Sequence, residues 1–496
     1  MYGQRLSADQ APKPSGRTGP FATGSVLAYG RPVARGLLLA AVLLVALLAL
    51  PPQSGAAPRG SLKQLDGKAG CVVSHPTRRC VRAPATRGGS VRLAPSPDGR
   101  AVYALGRNIV VLSRNRRSGA LRQRGCTSID GRVSRRSRRG ACRRDRAVRS
   151  PVGGQVSPDR RHLYVADRRS QAILIFRRGR RGLLRRTGCV NRTGSGSCDP
   201  ARGLRDAYDL TVSAGGRSVY AISPDANALV VLHRDPASGR LSQPPGPAGC
   251  LSEPAIDACA AGRALPRPID LAVSRDGRNL YVAASAFSST ALAEGGAIAA
   301  FVRDPSTGLL TQRPGAPGCA GAGAGCAPVR SLGSASSVGL SSDGKSVYAF
   351  SRTANRGQGF AFTNLVSLTR RASDGALTQL AGPDGCNGDV GGCQGSNTLD
   401  FFGEVTLSSD GRSLYALTSG FDTLSVFSRD AATGALAQLG GRSGCLQGPR
   451  PRDQRISRCS SRHRAFGGLT TSEVAPGGRH VYVSSDRGIA VFKRTR

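Results

Sequence analysis

The stretch "SSDGRSLYAL" at residues 408–417 is one of seven copies of the same phrase in a chain of 496 residues. The other copies are "SPDGRAVYAL" (96–105), "SPDRRHLYVA" (157–166), "SAGGRSVYAI" (213–222), "SRDGRNLYVA" (274–283), "SSDGKSVYAF" (341–350) and "APGGRHVYVS" (475–484). An Asp-Gly turn between β-rich runs is typical of a hairpin. We therefore predict that the Asp and Arg of the phrase are structural, and that the phrase recurs because each repeat needs the same turn.

One full repeat, residues 269–312, contains four short β-rich runs separated by turns. The runs are "DLAVS", "NLYVAAS", "GAIAAFVRD" and "LLTQ", and the turns between them include "RDG" and "DPSTG". Several runs are apolar on successive residues, as in "LVVL" at 229–232, which indicates a sheet covered on both faces. Four-stranded sheets that repeat radially around an axis satisfy this requirement.

The two ends of the repeat region complement each other. The last repeat reaches a third run, "GIAVFKR" at 488–494, without the fourth, while "GSLKQLDG" at 60–67 matches the fourth run "GALTQLAG" at 375–382. We expect the N-terminal run to complete the seventh unit. The sequence therefore predicts an all-β fold, a seven-bladed β-propeller with four antiparallel strands per blade, over residues 58–496.

The combined pattern "GRxVYV…VxVFxRDxxTGxLxQ" resembles the lactonase-like seven-bladed propellers and the related YVTN-repeat surface proteins. Its best examples are "GRSLYALTSGFDTLSVFSRDAATGALAQL" (411–439) and "VYVSSDRGIAVFKR" (481–494), and the resemblance covers nearly all of residues 58–496. It implies the propeller fold and, in one branch of the family, hydrolysis of 6-phosphogluconolactone. That reaction is cytosolic, and the export features described next depart from it.

All fourteen cysteines fall into close pairs between successive repeats. The expected disulfides are Cys71–Cys80, Cys126–Cys142, Cys189–Cys198, Cys250–Cys259, Cys319–Cys326, Cys386–Cys393 and Cys445–Cys459. Six or more residues separate the members of each pair, so none is a C-x-x-C redox or zinc half-site. An even count in an exported chain indicates disulfides that pin surface loops.

The N-terminus carries an apparent export signal. "LLLAAVLLVALLAL" at 37–50 follows Arg31 and Arg35 and precedes small residues, which is typical of a secretory signal and short for a membrane span. We expect residues 1–36 to be a disordered extension and 37–57 a signal peptide or an uncleaved signal anchor. The protein is then extracytoplasmic, either secreted or anchored by this segment.

The net charge of +41 favours an anionic partner. The densest patch lies within residues 131–150 and includes Arg135, Arg136, Arg138, Arg139, Arg143 and Arg144. A solvated arginine-rich loop is one interpretation, and a binding patch for an anionic cell-envelope polymer is the other. No aromatic residue alternates with these arginines for base stacking, so nucleic acid is not expected.

A polar column begins the innermost strands when the repeats are aligned on their first residue. Four positions earlier stand Arg92, Gly153, Asp209, Asp270, Ser337, Glu404 and Thr471. We expect Arg92, Asp209, Asp270 and Glu404 to converge near one mouth of the central channel. There the carboxylates would cap a neighbouring blade, hold a cation or basic ligand, or activate water.

No catalytic motif accompanies this column. The sequence contains no G-x-S-x-G elbow, metal-hydrolase His pair, calcium loop or phosphate-cradling Gly loop, so no cofactor or metal is expected. Two functions remain open. One is an exported, monomeric binding module for an anionic surface component or a partner protein, and the alternative is a lactone or ester hydrolase at the channel mouth.

Overall fold

The structure is a computed structural model that describes residues 57–87, 91–133, 140–285, 296–354, 361–388, 391–396, 398–400, 403–449, 455–461 and 463–496. The predicted N-terminal extension and all of the predicted signal except residue 57 lie outside these ranges. So do Arg135, Arg136, Arg138 and Arg139 of the predicted basic patch.

The strands form seven sheets, numbered here as blades 1–7 in the order of their innermost strands. The innermost strands are Arg92–Pro95, Pro151–Val156, Asp209–Val212, Pro268–Val273, Ser334–Leu340, Gly403–Leu407 and Leu469–Val474. The second strands are Ala101–Leu105, His162–Asp167, Ser218–Ser223, Asn279–Ala284, Ser346–Ala354, Ser413–Thr418 and His480–Ser485. The third strands are Ile109–Arg114, Ala172–Arg178, Ala228–Arg234, Ala297–Arg303, Ala361–Arg370, Thr423–Arg429 and Gly488–Arg494. Innermost strands of successive blades contact each other, and blade 7 contacts blade 1, so the ring is closed.

The fourth strand pairs antiparallel with the third in every blade. It is continuous in blades 1 and 2, as Leu121–Ser128 and Leu184–Asn191. In blades 3–7 it is split into Leu241–Ser242 and Cys250–Ser252, Leu310–Gln312 and Cys319–Gly321, Leu377–Gln379 and Cys386–Gly388, Leu436–Gln438 and Cys445–Gln447, and Leu62–Gln64 and Cys71–Val73. The 3₁₀ turns are Gly67–Gly70, Pro84–Thr86, Arg180–Gly182, Ser195–Ser197, Pro224–Ala226, Pro247–Gly249, Ala316–Gly318, Gly382–Gly385 and Gly441–Ser443.

A fifth, parallel element lies outside the fourth strand and was not predicted. Blades 1, 2, 3 and 7 carry the two-residue strands Arg143–Arg144, Asp199–Pro200, Ala260–Ala261 and Val81–Arg82. Blades 4–6 carry single parallel bridges at the same place, Ala320–Ala327, Asn387–Gln394 and Leu446–Ser460. The chain runs parallel here because each disulfide folds its loop back beside the strand that precedes it.

The ring closes as the sequence predicts. Leu62 pairs with Arg494 and Gln64 with Phe492, and Cys71 pairs with Ala490 further along the same third strand. The N-terminal run therefore supplies the fourth strand of blade 7. The fold is confirmed as an all-β, seven-bladed propeller with its core between the blades; Tyr103 of blade 1, for example, packs against Leu163 and Phe176 of blade 2.

A tyrosine, an arginine and a glycine join each blade to the next. In blade 5 the Tyr348 hydroxyl donates to the Gly434 carbonyl (2.6 Å) and accepts from Arg429 Nε (2.7 Å), both of blade 6. Arg429 also donates to the carbonyl of Gly411 in its own turn and pairs with Asp343 at 3.0 Å. The Asp of the repeated phrase thus has the structural role expected of it.

The same contact recurs around the ring. The tyrosines Tyr103, Tyr164, Tyr220, Tyr281, Tyr415 and Tyr482 donate to the carbonyls of Gly182, Gly239, Gly308, Gly375, Gly60 and Gly119. Gly434 has φ +84°, and a Cβ there would lie 2.5 Å from Ser346 Oγ, so this site requires glycine. Gly60 provides the equivalent carbonyl for blade 7.

All seven predicted disulfides are present, with Cα–Cα distances of 4.6–4.9 Å and no cysteine left free. Disulfides of this kind persist in oxidising compartments, so the propeller belongs outside the cytoplasm. Within the described ranges, no helix has the length and apolar character needed to cross a membrane.

We predict that deleting residues 58–67 from the mature protein opens the ring and lowers its melting temperature by several degrees. The deletion removes the Leu62–Gln64 strand and the Gly60 carbonyl that Tyr415 binds, and leaves residues 492–494 of the last third strand as an exposed edge. Calorimetry is the measurement. Lys63→Ala, at an exposed position of the same strand, is the control and should melt like wild type; an unchanged melting temperature in the deletion would disprove closure.

Candidate functional site

The predicted polar column forms one layer of the channel wall. Each of its seven members pairs with the residue two positions after the repeat tyrosine of its blade, as Arg92 pairs with Leu105 and Glu404 with Leu417. The other pairs are Gly153–Ala166, Asp209–Ile222, Asp270–Ala283, Ser337–Phe350 and Thr471–Ser484. The seven aligned positions therefore occupy equivalent places in the seven blades.

Arg92 of blade 1 reaches across blade 2 to Asp209 of blade 3. Its Nη1 lies 3.2 Å from Asp209 Oδ2, with side-chain exposures of 33% and 14%. Blade 2 contributes Gly153 between them, and a Cβ at that position would lie 2.4 Å from Asp209 Oδ1. The missing side chain of Gly153 makes room for this ion pair.

The other two carboxylates of the column bind neighbouring blades. Asp270 Oδ2 accepts from Ser337 Oγ (2.8 Å) and from the Val338 amide (2.9 Å) of blade 5. Glu404 Oε1 accepts from Thr471 Oγ1 of blade 7 (2.9 Å). Asp270 thus caps the next blade, which was one of the predicted roles, whereas Glu404 keeps its second oxygen without a hydrogen bond among the described residues.

Burial and mutual charge shift the pKa of these groups. Burial raises the pKa of Asp209 to about 6 against the opposing charge of Arg92. Burial raises the pKa of Glu404 to about 7, again against Arg92 and with the help of Asp270. For Arg92, burial alone would lower the pKa, but the charges of Asp209 and Glu404 outweigh it and raise the pKa above its usual value. The site therefore holds a fixed positive charge beside carboxyls that titrate near neutral pH.

A fourth carboxylate, Glu473, belongs to this group and was missed. It lies two positions after Thr471 in the same strand, pairs with Tyr482, and has its pKa raised well above the usual value by burial and by the charge of Glu404. Because side chains of a strand share a face at every second residue, the column has a second layer. That layer is Ala94, Gln155, Thr211, Ala272, Gly339, Thr406 and Glu473, and extending the repeat alignment by two residues would have found it.

The column separates two cavities. One, of about 420 Å³, opens at the mouth and is lined by Arg92, Asp270 and Glu404 together with Arg168, Arg267 and Tyr208 of the surrounding loops. The other, of about 500 Å³, lies on the opposite side of the column and includes Asp209 and Glu473. Three of the four predicted residues therefore line the mouth cavity. The same three residues and Asp209 line the cavity on the other side of the column.

The mouth loops hold two further arginines that the sequence did not single out. Arg168 lies over the ring of Tyr208 (5.9 Å to the centroid) and pairs with Asp206 at 3.8 Å. Arg267 has φ +43°, and its amide donates to Asn227 Oδ1 at 2.9 Å. Its guanidinium makes no hydrogen bond or ion pair with the described residues, so Arg267 is the available cation of this cavity.

Of the predicted basic patch, the structure describes Arg143 and Arg144. Both are exposed on the short parallel strand of blade 1, at the outer edge of the ring. They are not part of the mouth cavity. In the described part of the chain, no cluster of three or more His, Cys, Asp or Glu side chains is arranged to hold a metal ion.

Comparisons with known proteins find similarity to solved structures of low sequence identity. No protein-family model matches the chain, and no curated protein matches it. Among solved structures it is similar to a candidate 6-phosphogluconolactonase from Bacteroides fragilis (16% identity over 78% of this chain and 95% of that one, TM-score 0.49) and to a Pseudomonas aeruginosa periplasmic gluconolactonase (17%, 76% and 94%, TM-score 0.44). It is also similar to Kuenenia stuttgartiensis hydrazine synthase (13%, 89% and 99%, TM-score 0.49). Likeness at this level does not bear on activity.

We predict that Glu404→Gln changes how stability depends on pH. The pKa of Glu404 is about 7 in the folded protein and ordinarily 4.5, so between these values the folded protein holds a proton that the unfolded chain has released. The stability from this carboxyl is therefore complete below pH 4.5 and is lost as the pH rises to 7. The variant should match wild type at pH 4 and exceed it at pH 8 by about 1–3 kcal/mol in urea unfolding.

Asp66→Asn is the control for this experiment. Asp66 is an exposed carboxylate whose side chain makes no hydrogen bond or ion pair with the described residues, and its replacement should leave the pH profile of wild type unchanged. Parallel profiles for wild type and Glu404→Gln would show that Glu404 is ionised throughout and that the channel solvates it well.

Proposed function

We propose that this protein is an exported β-propeller that acts as a binding module for an anionic component of the cell envelope, held at the mouth of the channel. A partner protein that presents an acidic side chain is the other ligand such a mouth would accept. We expect the protein to be monomeric, and secreted or anchored by residues 37–57. No role in nucleic-acid binding is proposed.

The observation that carries the proposal is the guanidinium of Arg267, which lines the same cavity as Arg92 and makes no hydrogen bond or ion pair with the residues that the structure describes. The backbone of Arg267 is fixed, because its amide binds Asn227 and because Ser285 donates to the carbonyls of residues 266 and 267. Binding at Arg267 therefore has to order the side chain but not the backbone. The planar guanidinium fork also suits a carboxylate or a phosphate.

The size and lining of the cavity indicate what part of a ligand would enter. A volume of about 420 Å³ accommodates a monosaccharide or the end group of a polymer rather than a folded domain. Tyr208 provides an aromatic side chain at the wall, and Arg168 lies over its ring. An anionic sugar, with its charge on Arg267 and its ring beside Tyr208, uses both features.

We predict that glucose 6-phosphate binds the mature protein and that Arg267→Gln weakens this binding about tenfold, because a charge-assisted hydrogen bond is lost. Calorimetric titration is the measurement. Arg217→Gln removes one positive charge from an exposed turn at the other end of blade 3 and is the control. Equal losses in both variants would mean that the net charge of the protein, and not the mouth, attracts the ligand.

A polymer extends the same experiment to the arginines of residues 131–150. Binding of poly(glycerol phosphate) should weaken steeply with added salt, because exposed charges are screened within about 8–10 Å at physiological ionic strength. We expect it to weaken further when Arg135, Arg136, Arg138 and Arg139 are all changed to Gln. Binding that persists in high salt or in this variant would exclude the patch.

A second candidate function, hydrolysis of a lactone or ester, is favoured by one observation. Glu404 and Arg92 line the same mouth cavity, and the pKa of Glu404 is about 7. A carboxyl with such a pKa suits a general base near neutral pH, and a guanidinium suits the developing oxyanion. No described group is positioned as a nucleophile, so water activated by Glu404 would have to attack the carbonyl.

We predict that the mature protein lacks strong lactonase activity, since the carboxylates bind Arg92 or neighbouring blades and none of the described groups is placed to orient a water. The assay is a lactone panel that includes 6-phosphogluconolactone, run on wild type and on Asp209→Asn, Asp270→Asn and Glu404→Gln. Robust turnover that is lost in Glu404→Gln would establish the hydrolase instead of the binding module. Turnover that survives all three changes would place the chemistry elsewhere.

A further inference from the structure

A cleft rich in arginine lies between blades 1 and 2 at the end of the propeller opposite the mouth. It has a volume of about 670 Å³ and is bordered by the Asp-Gly turn of blade 1 and the turn that follows the third strand of blade 2. Its charged lining consists of one carboxylate, Asp98, and six arginines. These are Arg100, Arg124, Arg160, Arg178, Arg180 and Arg181.

Most of this positive charge has no partner among the described residues of the chain. Arg178 is the buried arginine of the blade contact and binds Tyr103 through Nε at 2.6 Å. Arg124 donates to Ser113 Oγ. The remaining four side chains are exposed and make no hydrogen bond or ion pair with the described residues; they are Arg100, Arg160, Arg180 and Arg181. Asp98 lies 3.8 Å from Arg178, whereas the four equivalent ion pairs measure 2.7–3.0 Å.

Comparison with the other blades shows that Arg160 is a departure from the repeat. It stands at the turn position that is glycine in the six other copies, and its φ of +67° is in the left-handed region. The glycines at this position are Gly99, Gly216, Gly277, Gly344, Gly411 and Gly478, with φ of +63° to +70°. A side chain at such a φ is disfavoured relative to glycine, so the fold itself gives no reason for an arginine here.

The turn after the third strand of blade 2 also differs from the same turn in blades 3–6. In blades 3–6 this turn carries an aspartate, at Asp235, Asp304, Asp374 and Asp430, which accepts from amides of its own turn. Blade 2 has Gly179 followed by Arg180 and Arg181, with no acid. Two separate differences therefore add arginines to one cleft. Arg160 replaces a glycine, and Arg180 and Arg181 lie in a turn that has no aspartate.

We propose that this cleft binds a multiply charged anion, one that carries two or more phosphate or carboxylate groups. Guanidinium groups bind such oxyanions through paired hydrogen bonds. Like charges held in one cleft repel each other in the free protein, and an anion relieves that repulsion. This site is separate from the mouth, because its residues belong to the turns at the opposite ends of the strands.

Titration calorimetry with tripolyphosphate tests the proposal, in an Arg267→Gln background that weakens the mouth. We expect one ion bound per protein, and about tenfold weaker binding in Arg160→Gly and in the double variant Arg180→Gln/Arg181→Gln. Arg160→Gly restores the repeat glycine and relieves the left-handed backbone. Its melting temperature should therefore equal or exceed that of the parent, which separates loss of the site from loss of the fold.

Arg217→Gln is the matched control, because Arg217 occupies in blade 3 the turn position that Arg100 occupies in blade 1. It should leave tripolyphosphate affinity unchanged. Unchanged affinity in Arg160→Gly, or an equal loss in Arg217→Gln, would overturn the proposal in favour of general attraction to a basic protein. Orthophosphate that binds as tightly as tripolyphosphate would contradict a multiply charged ligand.

Discussion

A buried arginine at the end of each third strand holds the ring together. Arg429 and its counterparts carry a charge into the space between two blades, which is costly unless every donor finds an acceptor. Every one of these arginines donates to the carbonyl of the turn in the same blade. Five donate through Nε to the tyrosine of the preceding blade, and Arg370 donates to Asn279 Oδ1 instead. Five also pair with the repeat aspartate. Where Gly215 and Gly477 replace the aspartate, Ser218 Oγ and His480 Nδ1 face Arg303 and Arg114 instead. Burial and the Arg114 charge lower the pKa of His480 to about 4, so that it stays a neutral acceptor.

The sequence specifies this architecture because the contact needs the same residues in every blade. The seven copies of the repeated phrase predicted seven blades. The match between residues 60–67 and 375–382 predicted that the N-terminal run completes the last blade. The parallel strands at the outer edge were not predictable from periodicity, since two residues carry no alternation. They follow from the disulfides. Each disulfide closes a short loop, so that the residues after the second cysteine lie beside the strand that begins with the first, as Val81 and Arg82 lie beside Val72 and Val73.

The candidate site was predictable in its positions and not in its contacts. Aligning the repeats placed Arg92, Asp270 and Glu404 at one level of the channel, and in the sheets these residues pair at equivalent positions of their blades. The contact between Arg92 and Asp209 depends on the absence of a side chain at Gly153 of the blade between them. The sequence pattern of a single repeat does not show such a space between the two neighbouring blades. Glu473 was missed for a simpler reason: the alignment stopped at one layer, although residues of a strand share a face at every second position.

The closing strand also has a consequence for how the chain reaches its folded state. Ser61 and Thr495 are hydrogen-bonded across 434 residues of sequence, and Leu62 pairs with Arg494. Residues 60–67 are therefore made well before their partner strand, and blades 1–6 can form while this segment still has no sheet to join. Only its Cys71–Cys80 bond is local enough to form early. Closing such a long loop is slow compared with forming a hairpin, so docking of this segment is expected to be the late step that converts an open arc of blades into a ring.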